Sequence, residues 1–266
     1  MLLTEQPLII PDLWHFLLVW AITQGRLFVF FSFFPAFGGS NLPFTVRTVV
    51  SMAFGLVLIP HLMPIIPHKI DTGIVFAFLF KEALIGLGMS FICAIAFWIF
   101  EAMGFFVDNQ RGAGIGGLMD PLTGNESAPF GQFMHQFFLA AFFFTGGLNI
   151  VLGMIYQSYT VWPVMAQTVH LKLWNSDIFG LELNRLMYQG LLYGAPILLS
   201  MFLVELGLAL ISRFVPQIQV FILAMPLKTA AGFFVAIPYM AFLEPHILGE
   251  INRMGYILHK VSVAFR

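Results

Sequence analysis

The chain has 266 residues, of which 59% are hydrophobic and 9% charged, against roughly 45–50% and about 25% in a soluble domain, which excludes a water-soluble globule. Twelve basic and thirteen acidic residues give a formal charge of -1, so no basic face can neutralise a phosphate backbone and nucleic acid is excluded as a partner. A single cysteine, Cys93, excludes an internal disulfide and a thiolate zinc site, and its apolar surroundings make it a small core residue.

Mean hydropathy is +0.91. The charge-free intervals from Arg26 to Arg47, Arg47 to Lys69 and Glu126 to Lys172 approach or exceed the ~18–20 residues that cross a bilayer core, which puts the chain in or against a membrane. No Lys or Arg precedes Arg26, so the first apolar segment lacks the positive region of a cleavable secretory signal and is expected to stay attached. In chain order, apolar runs predict helices near 13–37, 44–66, 73–107, 130–166, 186–211 and 218–243, roughly six or seven long ones. The breakers between them are Pro35 to Pro43 with Gly38 and Gly39, then Pro60, Pro64 and Pro67, the Gly-rich stretch 112–124, the polar stretch 167–185, and Pro216. No segment alternates with period two, and the fold class is all-α.

The least hydrophobic link, His170 to Arg185, contains Asn175-Ser176-Asp177, which can cap the next helix. The expected organisation is therefore an N-terminal multi-helix part, 1–174, a C-terminal helical hairpin, 175–246, and a tail, 247–266. In the tail Leu248, Ile251, Met254, Leu258 and Val261 recur at helical spacing, with Glu250, Arg253, His259 and Lys260 between them. That pattern predicts an amphipathic helix, and its basic excess favours a cytoplasmic end.

Arg26, Arg47, Lys81, Glu82, Glu101, Glu205, Arg213 and Lys228 sit within or beside the apolar runs. A charge at the bilayer centre costs roughly 2.5–3.5 kcal/mol, so such residues face a partner, a bundle interior or water. Snorkelling from span ends is the plain alternative for Arg47, Arg213 and Lys228; the shorter carboxylates point instead to buried pairs or hydrated interfaces. Such charges either line a solute or proton path or join this chain to neighbouring subunits. Gly190 and Gly194 form a small-xxx-small face suited to close helix packing.

The connection VDNQRGAGIGGLMDPLTGNESAPFGQF, Val107 to Phe133, interrupts two very apolar segments. Gly112, Gly114 and Gly117 match GxGxxG, but without a βαβ context the match does not indicate nucleotide binding. Between long helices the glycines suit either a re-entrant or gating loop or an ordinary surface connection. Asp120-Pro121 and Asn125-Glu126-Ser127 supply turn and helix-start chemistry before Pro129. Asn125 also begins an N-x-S sequon, which carries meaning only in a glycosylating pathway. No HExxH, no His pair at i, i+4 and no recognisable nucleophile setting is present, so neither an enzyme nor a cofactor is indicated.

MDPLTGNESAPFGQF, FFFTGGLNIVLGMIYQSYTVWPV and SRFVPQIQVFILAMPLKTAAG, with the earlier RLFVFFSFFPAFGGSNLPFTVR, resemble the SctT/FliR family of type III secretion export-apparatus proteins from about Arg26 to Gly232. The SYTVWP segment, Ser158 to Pro163, is more similar to the virulence-injectisome branch than to the flagellar one. The resemblance implies a non-enzymatic inner-membrane subunit, an SctR-like part joined to an SctS-like hairpin. It would assemble with SctR-like and SctS-like subunits into a helical cone that passes unfolded secreted polypeptides. It further implies that Arg111, Gly112, Gly114, Ile115, Gly116, Gly117, Leu118, Met119, Asp120 and Pro121, in a loop of about 107–128, plug the closed channel. Gly190, Gly194, Pro216 and Pro226 would serve helix packing, and the tail would meet SctU-like and SctV-like proteins at the cytoplasmic side. A proton-coupled secondary transporter using Glu82, Glu101 or Glu205 is the rival, but the internal repeat it calls for is not evident.

Overall fold

The computed structural model describes residues 13–38, 42–68, 70–112, 128–166, 176–214 and 220–264, with no side-chain description for 176–179, 220–222 and 257–264. Gly114, Ile115, Gly116, Gly117, Leu118, Met119, Asp120 and Pro121, the Asn125 sequon, Asn175 and Pro216 lie outside the described residues, as do the side chains of Leu258, His259, Lys260 and Val261.

Among the described residues there are seven helices and no strand. They are α1 (Leu13–Phe33), α2 (Phe44–Leu62), α3 (Thr72–Arg111), α4 (Pro129–Phe144), α5 (Gly147–Val161), α6 (Ser176–Phe214) and α7 (Val220–Ala264). The protein is an all-α membrane helical protein: α1, α2, α3, α6 and α7 are each long and apolar enough to cross a bilayer.

Helix bounds differ from the pattern reading, α6 for instance starting at Ser176 rather than 186, and at three places a local reason is evident. The apolar run 130–166 is two helices, α4 and α5, bent by 74°. Gly146 adopts a left-handed φ of 77° there, and the Thr145 amide bonds back to the Ala141 carbonyl, which terminates α4. The expected loop start at Val107 is instead the last turn of α3, because polarity alone does not stop a helix. Gly112, at φ 85°, does. The tail from Ile247 is not a separate element either: α7 runs through Pro226, Pro238 and Pro245 to Ala264. Such prolines are tolerated in apolar helices because neighbouring groups take up the freed carbonyls.

The chain divides into two compact units. The first holds α1, α2, α3 as far as Ala94 and the chain from Gly153 through the end of α5. Its core is Val19, Ile22, Leu27, Phe30, Phe31 and Phe34, all without solvent exposure, with Leu58, Ile59 and Leu62 of α2 beside them. Ring pairs such as Phe31–Phe54, stacked at 5.6 Å, contribute about 0.5–1.5 kcal/mol beyond simple burial.

The second unit holds α3 from Ile95, α4, the start of α5, α6 and α7. Phe138 of α4 stands edge-on to Phe97 and stacks on Phe100 of α3, both with centroids 4.7 Å apart, and Tyr193 of α6 stacks on Phe100 at 5.7 Å. On the face of α6 toward α3, a Cβ at Gly190 would stand 3.2 Å from Ala102 Cβ, tighter than ordinary contact, whereas one at Gly194 would stand 3.5 Å from Met103 Cγ, within ordinary contact. Pro226 lies near the start of α7, within the helix.

Candidate functional site

The first unit contains a buried polar centre where α1, α3 and the end of α5 meet. The backbones of α1 and α3 can touch because Gly86 lacks a side chain: a Cβ there would lie 2.4 Å from the Arg26 carbonyl oxygen. Four residues before Gly86, and so on the same face of α3, stands Glu82. Arg26 and Glu82 are both fully buried, and Arg26 Nε donates to Glu82 Oε2 at 2.7 Å while Nη2 lies at the same distance.

The rest of the guanidinium is also satisfied. Nη1 donates to Ser158 Oγ at 2.7 Å, Nη2 donates to the Trp162 carbonyl at 3.0 Å, and the plane lies 4.0 Å from the centre of the Tyr159 ring. The Ser158 hydroxyl in turn donates a hydrogen bond to the Ile155 carbonyl, and the Tyr159 hydroxyl donates to the Thr23 carbonyl at 3.2 Å. This arrangement suits arginine, whose planar fork offers five donors and stacks on aromatic faces.

Lys81 completes the centre. Its Nζ is 3.4 Å from Glu82 Oε1 and donates to the carbonyls of Pro163, Val164 and Ala166. Those oxygens follow the end of α5, where the helix dipole favours a cation. Two cations thus share one carboxylate, and the surplus charge is met by backbone carbonyls. A buried pair of this kind gives fixed geometry rather than large net stability.

The second unit carries the remaining charges. Glu101 Oε2 faces His135 Nδ1 of α4 at 3.2 Å, and Glu205 Oε2 accepts from Lys228 at 3.3 Å and from Gln110 at 3.2 Å. The two carboxylates are 47% and 49% exposed, unlike Glu82. Beside Gln110 an open apolar groove of about 650 Å³ runs along α6 past Leu191, Pro196, Leu199 and Phe202. Arg213 is exposed near the end of α6. In the first unit Arg47 is half-buried and donates to the Ser32 and Leu42 carbonyls at 3.2 and 3.3 Å.

A charge network that pattern reading did not single out joins α6 to α7. Arg185 donates to Glu182 at 2.8 Å and to Glu250, Tyr193 donates to Glu250 at 3.4 Å, and Arg253 donates to Glu182 at 3.3 Å. Asp108, near the end of α3, was also missed as a site. It is buried, lies 2.6 Å from Arg111 and accepts the backbone amides of Phe130 and Gly131. The available signal was the start of α4, where Ala128-Pro129 offers no side-chain cap. Among the described residues no cluster of three His, Cys, Asp or Glu could hold a metal.

Comparison with known proteins shows the family of the chain. Residues 17–254 match the family described as bacterial export proteins, family 1. The chain is 34% identical over 178 residues to the Yop proteins translocation protein T of Yersinia pestis, covering 67% of this chain and 68% of that one. It is 30% identical over 214 residues to the surface presentation of antigens protein SpaR of Shigella flexneri, covering 78% and 81%. It is also 30% identical over 220 residues to the flagellar biosynthetic protein FliR of Bacillus subtilis, covering 82% and 84%.

Proposed function

Since the chain belongs to family 1 of the bacterial export proteins, we propose that it is a non-enzymatic subunit of the inner-membrane export gate of a type III secretion system. The single observation that carries this reading is the match over residues 17–254, supported by relatives named for translocation, surface presentation and flagellar biosynthesis. In this role it assembles with SctR-like and SctS-like subunits around a channel for unfolded polypeptides, and it meets SctU-like and SctV-like proteins at the cytoplasmic side. The Gly-rich connection between α3 and α4 helps close that channel.

Physical support comes from the distribution of polar groups. Arg26, Lys81 and Glu82 are paired inside the chain, whereas α6 and α7 present Leu199, Leu203, Leu210, Phe234, Ile237 and Phe242 exposed together with the half-exposed Glu205. Apolar helices that also carry accessible charge suit contact with companion polypeptides better than contact with lipid alone.

Co-expression with two candidate sister subunits tests the reading. A detergent-stable complex of the three is the expected result, and isolation as a monomer that functions alone would refute it. The likeness to FliR of Bacillus subtilis over 82% of the chain favours a flagellar version as the second reading. Deletion of the gene separates the two: loss of secreted effectors with normal motility fits an injectisome, and loss of motility fits the flagellar system.

A further inference from the structure

Together α4 and α5 are long and apolar enough for one broken span, bent by 74° beside the left-handed Gly146. In α4, PFGQFMHQFFLAAFFF, the polar side chains are Gln132, His135 and Gln136. Their spacing of three and four residues places them on one side of the helix. The side toward α3 is apolar. Phe130, Gly131, Met134, Phe138 and Phe142 are buried, and a Cβ at Gly104 of α3 would stand 2.6 Å from the Gly131 Cα. At the edge of the polar side, Glu101 of α3 lies 3.2 Å from His135 Nδ1.

That polar side is open. Gln132 and Gln136 are exposed, neither side-chain amide has a partner among the described residues, and Glu101 is half-exposed. Unpaired amides and a half-paired carboxylate are costly against hydrocarbon. The break between the helices points the same way. Irregular backbone at membrane depth is tolerated only where protein buries it or where it lines water. This chain does not cover the break, since Phe144 beside it is 92% exposed. Water or a second polypeptide, rather than lipid, therefore meets α4.

Chemistry decides between a fixed companion helix and a moving chain in water. A helix satisfies its own backbone and could pair these amides only through polar side chains matched at successive turns. An extended polypeptide carries a donor and an acceptor at nearly every residue. Each glutamine amide offers two donors and an acceptor oxygen without net charge, so it can exchange bonds with any passing sequence. A wholly apolar wall would instead retain the hydrophobic side chains of an unfolded chain.

We propose that the side of α4 bearing Gln132 and Gln136, with Glu101 and His135 at its edge, lines the aqueous path of the export gate and contacts the backbone of the passing polypeptide. The proposal rests on the reading of this chain as an export-gate subunit.

The test uses the full chain assembled with its sister subunits. Gln132→Cys and Gln136→Cys are treated with a charged, membrane-impermeant methanethiosulfonate in spheroplasts and in inverted vesicles. The unsubstituted chain, whose one cysteine, Cys93, is buried, gives the background. Thiols react as thiolates, which form in water and not in hydrocarbon, so both variants are expected to label about ten-fold faster than Phe234→Cys on the exposed apolar surface of α7. Photoreactive benzoylphenylalanine at 132 or 136 is expected to crosslink a secreted polypeptide stalled by a folded fusion. Absence of labelling from both sides, or of the polypeptide adduct, overturns the proposal. Crosslinking to a sister subunit or to another segment of this chain in its place does the same. A face open to water tolerates exchange, so failure of the variants to assemble also overturns it. A complex that assembles and secretes without these signals sinks the lining and leaves the export subunit standing, whereas secretion that persists after deletion of the gene sinks both.

Discussion

Removing Arg26 alone from the Arg26–Glu82 pair should cost at least as much as removing both members. Each side chain is fully buried and the contact distance is 2.7 Å. Breaking such a pair from one side costs about 3–5 kcal/mol, whereas replacing both members by apolar residues of similar volume is often close to neutral. The structure also predicts an order between the single variants. Arg26→Met removes the donor to Ser158 and to the Trp162 carbonyl and leaves Glu82 only Lys81 at 3.4 Å. Each acceptor left unpaired in the interior adds about 1–3 kcal/mol, so this variant lies at the upper end.

Glu82→Gln is milder, because an amide oxygen can still accept from Arg26. The guanidinium keeps Ser158, Trp162 and the face of Tyr159 at 4.0 Å, and Lys81 keeps three carbonyls. Thermal unfolding of the purified complex in detergent is the assay. At about 2–4 °C per kcal/mol the Arg26→Met shift should be roughly 10–20 °C downward, with Glu82→Gln smaller and Arg26→Met/Glu82→Leu well short of the sum of the singles. Single-variant losses below about 1 kcal/mol, as for an exposed pair, would refute the reasoning, and so would strict additivity in the double variant.

Gly86→Ala should abolish or strongly reduce complex yield because its Cβ would fall 2.4 Å from the Arg26 carbonyl, while Gly88→Ala, with nothing within 4 Å, should leave yield unchanged in the same pull-down. Charge reversal at Glu205 or Arg213 should lower the yield of assembled complex more than Phe214→Ala or Phe234→Ala, both of which remove a highly exposed ring; equal yields would leave snorkelling as the account of those charges.

Helix content and type were readable in advance because apolar runs of membrane length, punctuated by Pro and Gly, admit few other structures. The boundaries that escaped depend on single residues. Gly146 sits within an apolar run and looks dispensable until its φ of 77° separates α4 from α5. Asp108 to Arg111 look like loop because they are polar, yet Asp108 and Arg111 are three apart and pair along one helical face. Pro238 lies inside the expected helix 218–243 and Pro245 just beyond its end, yet α7 runs through both.

The candidate site was legible as residue types and not as partnerships. Arg26 and Glu82 were each conspicuous as charges in apolar sequence, but their meeting also involves Ser158 and Trp162, far along the chain, and periodicity carries no information about which faces meet. Ser158 itself was visible only as part of a recognisable motif. The one partnership that local chemistry could have announced is that of Asp108. A helix beginning Ala-Pro lacks a cap, and a buried start must find an acceptor elsewhere in the chain.

The charges of this chain therefore fall into two physical classes that mutation can separate. Arg26, Lys81, Glu82, Asp108, Arg185 and Glu250 meet their partners within the chain, and each is buried or nearly so. Glu101, Glu205 and Arg253, with 45% or more of the side chain exposed, do not complete their surroundings within it. Desolvating a half-paired carboxylate against hydrocarbon is costly, so a chain of this kind has reason to place such groups where a neighbour or water will meet them. Substitutions in the first class should act on the stability of the subunit whether or not it is assembled. Those in the second should act on assembly and leave the fold intact, and the difference between the two readouts measures how far the proposed companions, rather than lipid, supply the missing contacts.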